Sequence, residues 1–216
     1  MKGLLPLYVY GAGGHGKVVA EAAHRAGRHQ IQGFLDDDPK LWGRAWSEQP
    51  VLGGLNVLDQ LDPQAEIALA VGANPHRARL THLLLARGRR LATVVHPTAV
   101  IARGVRLGEG SYVAPLAVLH SDAHLGRACI VNSGAVVEHD CRLGDWVHVS
   151  PRAALGGGAQ VGEGAHVGMG AILIPGVSLG AWSTLGAGAV LVRSLPGSVI
   201  AIGVPARVQD AAGRER

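Results

Sequence analysis

From Thr98 to Arg193 the chain reads TAVIAR GVRLGE GSYVAP LAVLHS DAHLGR ACIVNS GAVVEH DCRLGD WVHVSP RAALGG GAQVGE GAHVGM GAILIP GVSLGA WSTLGA GAVLVR, sixteen uninterrupted blocks of six. The fourth place is Ile, Leu or Val in every block, and the second is Ala, Val, Ser or Cys in every block. Gly fills the fifth place in eight of them. A period of six fits neither an α-helix nor a heptad. It fits a short strand and a turn, repeated as a solenoid in which each unit buries its apolar face on its neighbours. Places two and four lie two residues apart, so a strand points both inward, with third-place side chains pointing out. Gly after the inward aliphatic predicts a turn of unusual φ and ψ at place five.

Composition agrees with such a coil. Among 216 residues there are 32 Gly and only eight aromatics, while 48% are hydrophobic. A core of Ala, Val and Leu follows, and the apolar share excludes a disordered chain. The glycines lack a period of three, which excludes collagen. Two cysteines form no disulfide framework and fit a reducing compartment. Both Cys129 and Cys141 fall at the small inner place and read as packed thiols. No apolar run approaches the ~20 residues of a membrane span, and residues 1–7 carry no signal-peptide pattern. The net charge of +4 favours anionic ligands. The basic residues are too dispersed, and too little interleaved with aromatics, for nucleic acid.

Residues 1–95 read differently. Leu4–Tyr10, Ile31–Leu35, Glu66–Val71 and Leu91–Val95 are apolar strand candidates, and helices are predicted over Lys17–Ala26 and from Asn74 to about Arg87. Asn74 is the expected N-cap and Pro75 the first helical residue. Alternating strands and helices predict a parallel sheet with ligands at the strand C-terminal ends. Between the first strand and helix stands Gly11-Ala12-Gly13-Gly14-His15-Gly16, a G-x-G-x-x-G pattern, with Asp36 about 20 residues on. Such glycines let backbone N–H groups approach a phosphate at a helix N-terminus, in NAD or in any nucleotide diphosphate.

The hexapeptide pattern is similar to that of left-handed β-helix acyltransferases, in which three blocks make one triangular coil. The chain as a whole resembles the sialic acid O-acetyltransferase family, which includes bacterial N-acetyltransferases of nucleotide-linked amino sugars. The likeness rests on GAGGHG at Gly11–Gly16, FLDDD at Phe34–Asp38, VGAN at Val71–Asn74, VVEHDC at Val136–Cys141 and IGVPAR at Ile202–Arg207. It implies an α/β Rossmann-like domain over 1–95 that binds a nucleotide sugar. A left-handed parallel β-helix over 96–216 follows, with a short C-terminal tail. It implies acetyl-CoA as co-substrate, no metal, a homotrimer with CoA lying between two solenoids, and a cytoplasmic enzyme.

Carried over residue by residue, the resemblance assigns the nucleotide sugar to Gly13, Gly14, His15, Asp36, Asp37 and Gly72, and acetyl-CoA to His148, Met169 and Ala187. It makes His139 the general base. A carboxylate on one imidazole nitrogen fixes the tautomer and leaves the other nitrogen to accept a proton. Asp140 is the expected partner, with Glu138 the alternative. Gly157 lies eighteen residues on, one coil above His139, and its N–H is expected to meet the thioester oxygen as negative charge develops. His148 and His166, also eighteen apart, are expected to stack, as are His120 and Glu138. Trp146 and Trp182, at first places, are expected on the surface or at a subunit contact.

The leading expectation is an acetyl-CoA-dependent N-acetyltransferase of a UDP-4-amino-sugar type substrate, by direct transfer without an acyl-enzyme. O-acetylation of sialic acid or a related sugar is the nearest alternative, and UDP, GDP and CMP carriers all stay open. More distant readings are an NAD oxidoreductase, a zinc hydratase with a converging histidine triad, and a scaffold without activity.

Overall fold

The computed structural model describes residues 4–209, and the C-terminal tail beyond them lies outside the described residues. The chain divides into two compact units, 1–97 and 98–216.

The first unit is built on a sheet of six strands. Its elements are β1 (Leu5–Tyr10), α1 (Gly14–Ala26), β2 (His29–Leu35), β3 (Ala45–Trp46), β4 (Gln49–Gly53), β5 (Glu66–Leu69), α2 (Asn74–Ala86) and β6 (Arg90–Leu91). The sheet order is β3-β4-β2-β1-β5-β6, parallel except where β3 runs antiparallel to β4. The central β1 is apolar along its length, and Leu7, Val9 and Tyr10 are buried. Three details depart from the sequence reading. The N-cap of α2 is Ala73, and Asn74 sits inside the helix with its side chain turned to Arg77. The stretch Leu91–Val95 is broken in two, Arg90–Leu91 and Val94–Val95 being separate strands. The β3–β4 hairpin carries no long apolar run, and the sequence gives no warning of it.

The second unit is a parallel β-helix of two-residue strands, placed at the third and fourth positions of the blocks. Three faces recur every eighteen residues. The first face carries Tyr112–Val113, Ile130–Val131, His148–Val149, His166–Val167 and Thr184–Leu185. The second carries Val100–Ile101, Val118–Leu119, Val136–Val137, Ala154–Leu155, Ile172–Leu173 and Val190–Leu191. The third carries Arg106–Leu107, His124–Leu125, Arg142–Leu143, Gln160–Val161 and Ser178–Leu179. Second-place Ala117, Ala135, Ala153 and Ala171 and fourth-place Leu119, Val137, Leu155 and Leu173 are buried in the core, as are both cysteine thiols. The winding outlasts the repeat. Ile200–Ile202 pairs with Thr184–Leu185 across a shortened coil, and Arg207–Val208 closes that sheet antiparallel.

The fifth-place glycines have a different reason from the one expected. The left-handed φ belongs to the first place, where Gly104 and Gly188 adopt it, and so do Asp122, Asp140, Trp146 and Trp182. The fifth-place residue is where one coil touches the next. A Cβ on Gly144 would stand 2.6 Å from the Glu163 nitrogen, and one on Gly156 2.6 Å from the Pro175 nitrogen. Close coil stacking, not turn geometry, excludes a side chain there. Trp146 also departs from expectation. It is 4% exposed, because its ring lies flat with that of Trp182, centroids 6.3 Å apart, over the side-chain-free Gly164 between them.

Candidate active site

Two constellations emerge, one in each unit. In the first unit, Gly13 and Gly14, Asp36 and Asp37, and Gly72 follow β1, β2 and β5, which are neighbours in the sheet. All of them therefore lie at the carboxyl end of the sheet, where open α/β sheets bind ligands. The four loop glycines divide into two kinds. A Cβ on Gly11 would run into the Ala70 carbonyl, and one on Gly16 into the Gly11 carbonyl, so both are demanded by packing. Gly13 and Gly14 face open space, and so does Gly72. Gly13 caps α1 without a side-chain bond, and the first turn of α1 holds no acidic residue. Backbone N–H groups there are open to an anion.

The acidic pair does structural work. Asp36 Oδ2 accepts the Ala12 N–H at 2.8 Å and its Oδ1 accepts the Asp38 N–H at 2.9 Å, which ties β2 to the glycine loop. Asp37 Oδ1 accepts from the Tyr10 hydroxyl at 2.7 Å and from the Leu55 N–H at 3.0 Å. Burial and that Asp37 bond drive the Tyr10 phenol well above its ordinary pKa. His15, in the first turn of α1, is held down at about 4 by burial and by the Arg77 guanidinium, so it is neutral at pH 7.

Arg77 was not read from the sequence. It is fully buried, and its Nη1 donates to the Val71 and Gly72 carbonyls at 2.9 and 3.1 Å while Nη2 donates to Asn74 Oδ1 at 2.8 Å. It thus fixes the turn that carries Gly72. The helical spacing carried no signal for it: Asn74, Arg77, Ala78, Thr81 and Leu84 share a buried stripe in the structure, but that stripe is largely polar and has no apolar pattern in the sequence.

In the second unit, His139 and Asp140 occupy the edge between the second and third faces. Asp140 takes the first place of its block and the left-handed φ of 61° that an Asp tolerates. That conformation brings its Oδ2 to 2.8 Å from His139 Nδ1. A carboxylate only accepts, so Nδ1 carries the hydrogen and Nε2 presents its lone pair. Glu138 turns away to His120, at 3.7 Å from Nε2, and so the partner of His139 is Asp140. The Asp140 hydrogen bond, with the charges of Asp140 and Glu138, lifts the His139 pKa above its usual value against a smaller desolvation effect. The backbone is pinned from both neighbouring coils: Gly158 N–H donates to the His139 carbonyl, and Asp140 N–H donates to Ser121.

Gly157 lies against the imidazole. A Cβ there would stand 2.7 Å from both His139 Cε1 and Nε2, so the ring occupies the space that a side chain would take. The Gly157 N–H donates to no backbone carbonyl among the described residues. A base with a free lone pair and an N–H donor one coil above it can accept a proton and stabilise a nearby oxyanion.

The remaining expected residues fall elsewhere on the coil. His148, on the first face, stacks on His166 with centroids 4.9 Å apart and faces Asn132 Nδ2 at 3.4 Å. Met169 and Ala187 sit one above the other on the edge between the first and second faces, both exposed, joined by the Gly188 N–H bonded to the Met169 carbonyl. The second face separates that edge from the His139 edge, so one copy of the chain does not bring Met169 and His139 together. Among the described residues no three His, Cys, Asp or Glu side chains are grouped to hold a metal ion, and no helix is long and apolar enough to cross a membrane.

Comparison with known proteins gives two family models. Residues 6–84 match the PglD N-terminal domain, and residues 158–193 match the bacterial transferase hexapeptide, six repeats. The chain is 40% identical over 107 residues to the UDP-N-acetylbacillosamine N-acetyltransferase of Bacillus subtilis (strain 168), an alignment spanning 49% of each chain, about half the length of that curated relative. Among the solved structures that match over nearly the full length are two with bound cofactor. One is the acetyltransferase domain of PglB from Neisseria gonorrhoeae FA1090 in complex with acetyl coenzyme A, at 38% identity and TM-score 0.89, covering 95% of this chain and 100% of that one. The other is a histidine-to-asparagine mutant of perosamine N-acetyltransferase from Caulobacter crescentus in complex with CoA and GDP-perosamine, at 41% identity and TM-score 0.90, covering 97% and 98%.

Proposed function

Since the chain belongs to the sialic acid O-acetyltransferase family of bacterial sugar acetyltransferases with hexapeptide repeats, we propose that it transfers the acetyl group of acetyl-CoA to the amine of a nucleotide-linked amino sugar. The observation that carries this reading is the His139–Asp140 pair, with Nδ1 held at 2.8 Å and Nε2 turned to the edge beside Gly157. His139 takes a proton from the attacking amine. Asp140 keeps the imidazole in the right tautomer and stabilises the imidazolium. The Gly157 N–H faces the carbonyl oxygen as it gains charge, and the thiolate of CoA leaves. Gly13, Gly14, His15 and Gly72 hold the nucleotide sugar, with neutral His15 able to donate or accept a hydrogen bond. Asp36 and Asp37 act on that substrate by shaping the loop as well as by direct contact. His148, Met169 and Ala187 receive the acyl donor.

The site is completed in a homotrimer. Outward side chains of the second face are all apolar: Val100, Val118, Val136, Ala154, Ile172 and Val190. Val100 and Ile172 are 57% and 43% exposed in the single chain. The third face instead carries Arg, His, Gln and Ser. Three copies with second faces inward set the His139 edge of each beside the Met169–Ala187 edge of the next, which brings base and acyl-donor contacts together. The proposed co-substrates, CoA thioesters and nucleotide sugars, go with a cytoplasmic enzyme.

Incubation of the pure protein with acetyl-CoA and a panel of UDP-, GDP- and CMP-linked 4-amino sugars, alongside free sialic acid, tests the proposal. A mass gain of one acetyl group on an amino-sugar nucleotide is the expected result. Acetylation of sialic acid alone moves the assignment to O-transfer, and transfer to no sugar overturns it.

A further inference from the structure

Acetyl transfer to an amine differs from transfer to a hydroxyl in the number of protons that must leave, and the edge that carries His139 holds a second pair of side chains suited to that difference. An alkyl amine is largely an ammonium ion at neutral pH. Its conversion to an acetamide breaks two N–H bonds and forms one N–C bond, whereas a hydroxyl gives up a single proton. The first proton must leave before attack, because an ammonium nitrogen has no lone pair. The second leaves as the N–C bond forms. His139 has one open nitrogen, Nε2, since Asp140 holds Nδ1 at 2.8 Å. That nitrogen serves the second proton, and the first finds no acceptor in the His139–Asp140 pair.

Glu138 stands beside that pair with a carboxylate to spare. It shares the edge with His139 and faces His120 Nε2, one coil below, at 3.7 Å. The backbone holds both in place: the His120 N–H donates to the Val137 carbonyl at 2.9 Å, and the Glu138 N–H to the Leu155 carbonyl at 3.0 Å. Among the described residues no lysine or arginine lies within ion-pair distance of Glu138, whereas Asp145, on another edge, is matched by Arg127 at 2.9 Å. The contact with His120 is too long for a hydrogen bond, and the two side chains are 47% and 40% exposed, so the carboxylate is open to a further donor. The charge of Glu138 reaches the base, whose pKa is lifted first by the Asp140 hydrogen bond and then by the charges of Asp140 and Glu138. Around Glu138 stand His120 from the coil below, His139 and Asp140 from its own turn, and the inward Cys141. Burial first, with the charges of Glu138 and Asp140, pushes that thiol up. Gly156 and Gly157, one coil above, bring no titratable side chain.

We propose that Glu138 binds the acceptor as its ammonium ion and, with His120, takes the first of its two protons, so that this pair selects an amine over a hydroxyl; the inference rests on the acetyl-transfer reading above and concerns only the coils around His139. The ammonium donates to the Glu138 carboxylate in a charge-assisted bond. One proton passes to Glu138, then to His120, whose imidazolium Glu138 stabilises, and from His120 to solvent. The neutral amine attacks the thioester carbonyl, and His139 Nε2 takes the second proton. The C–S bond breaks, and that proton goes to the thiolate of CoA. The products are one amide, one thiol and one proton released to water. A hydroxyl brings neither the charge that Glu138 reads nor the extra proton that His120 removes.

The test is Glu138→Gln, which keeps the size of the side chain and removes its charge. The substrate is the 4-amino nucleotide sugar that wild type turns over, and its 4-hydroxyl counterpart serves as competitive inhibitor. KM for the amine is expected to rise about tenfold or more, while Ki for the hydroxyl compound stays. The loss in kcat/KM is expected to be largest at low pH and to recover as the pH rises, because solution then supplies the free amine. An action through His139 alone has the opposite sign: without the Glu138 charge the His139 pKa falls, and the acid limb moves to lower pH. A Ki that rises in step with KM, or a loss that does not recover with pH, overturns the ammonium site. His120→Gln is expected to lower kcat at an unchanged KM, and an unchanged kcat overturns the route through His120. A wild-type protein that acetylates no amino sugar fails the underlying reading instead. Calorimetric titration with a UDP-linked 4-amino sugar and its 4-hydroxyl counterpart then still decides: a preference for the amine that Glu138→Gln abolishes supports the site, and equal affinities in wild type overturn it.

Discussion

Replacement of Gly157 by Ala isolates the packing between the glycine and the proposed base. The new methyl would begin 2.7 Å from His139 Cε1 and Nε2, where carbon atoms normally settle at about 3.5–4.0 Å. Gly157 has no left-handed φ, so Ala fits its backbone. The conflict falls on the imidazole, which is free to yield because the His139 side chain is 63% exposed. The ring must retreat by about 1 Å. Displacement of a catalytic group by that much costs on the order of 100-fold in rate, or ~2.7 kcal/mol at the transition state. The N–H is retained in Gly157→Ala and lost in Gly157→Pro, so the Ala variant reports ring position and the Pro variant adds loss of the oxyanion donor. Steady-state kinetics with thiol release from acetyl-CoA, read beside a melting curve, is the assay. A kcat near 1% of wild type at an unchanged Tm is expected. Wild-type kcat for Gly157→Ala would refute the contact as a determinant of catalysis.

Asp140→Asn removes the group that raises the His139 pKa, so the acid limb of the kcat/KM profile should move to lower pH, with a reduced plateau from the lost orientation; an unmoved limb would separate Asp140 from the base. Arg77→Met strips its donor from two neutral carbonyls and Asn74 Oδ1 in a buried turn, and should cost about 1–3 kcal/mol in a denaturant titration; an unchanged stability would contradict the buried network. His15 titrates at about 4 when folded against 6.5 when unfolded. The unfolded chain binds the extra proton, so stability is full above 6.5 and declines as pH falls toward 4, by roughly 3 kcal/mol in all. His15→Gln should flatten that window, and an unchanged slope would place the acid sensitivity elsewhere.

The β-helix was legible because its physics is local and repeated. Places two and four must point inward in every block, so sixteen blocks state the same rule, and the eighteen-residue register followed in all three faces. The reason for the fifth-place glycines was not legible, because it lies in the coil above, outside any six-residue window. The His139–Asp140 pairing was half legible. Sequence put two carboxylates beside the imidazole, and the left-handed φ at Asp140 decided between them. Arg77 was not legible, because the stripe of α2 that buries it is largely polar and shows no apolar periodicity. The separation of Met169 from His139 was legible in the spacing alone, given three blocks to a coil. The two residues differ by thirty positions, which is not a multiple of eighteen, and the remainder places them on different edges.

The role of His139 as general base is measured most directly by the acetyl-CoA-dependent turnover of His139→Ala on the best nucleotide-linked amino sugar, with melting temperature and oligomeric state recorded on the same sample. The expected variant is a folded assembly like wild type that has lost most of its transfer rate, general-base catalysis being worth about 10²–10⁴-fold. Wild-type turnover by that variant would contradict that role.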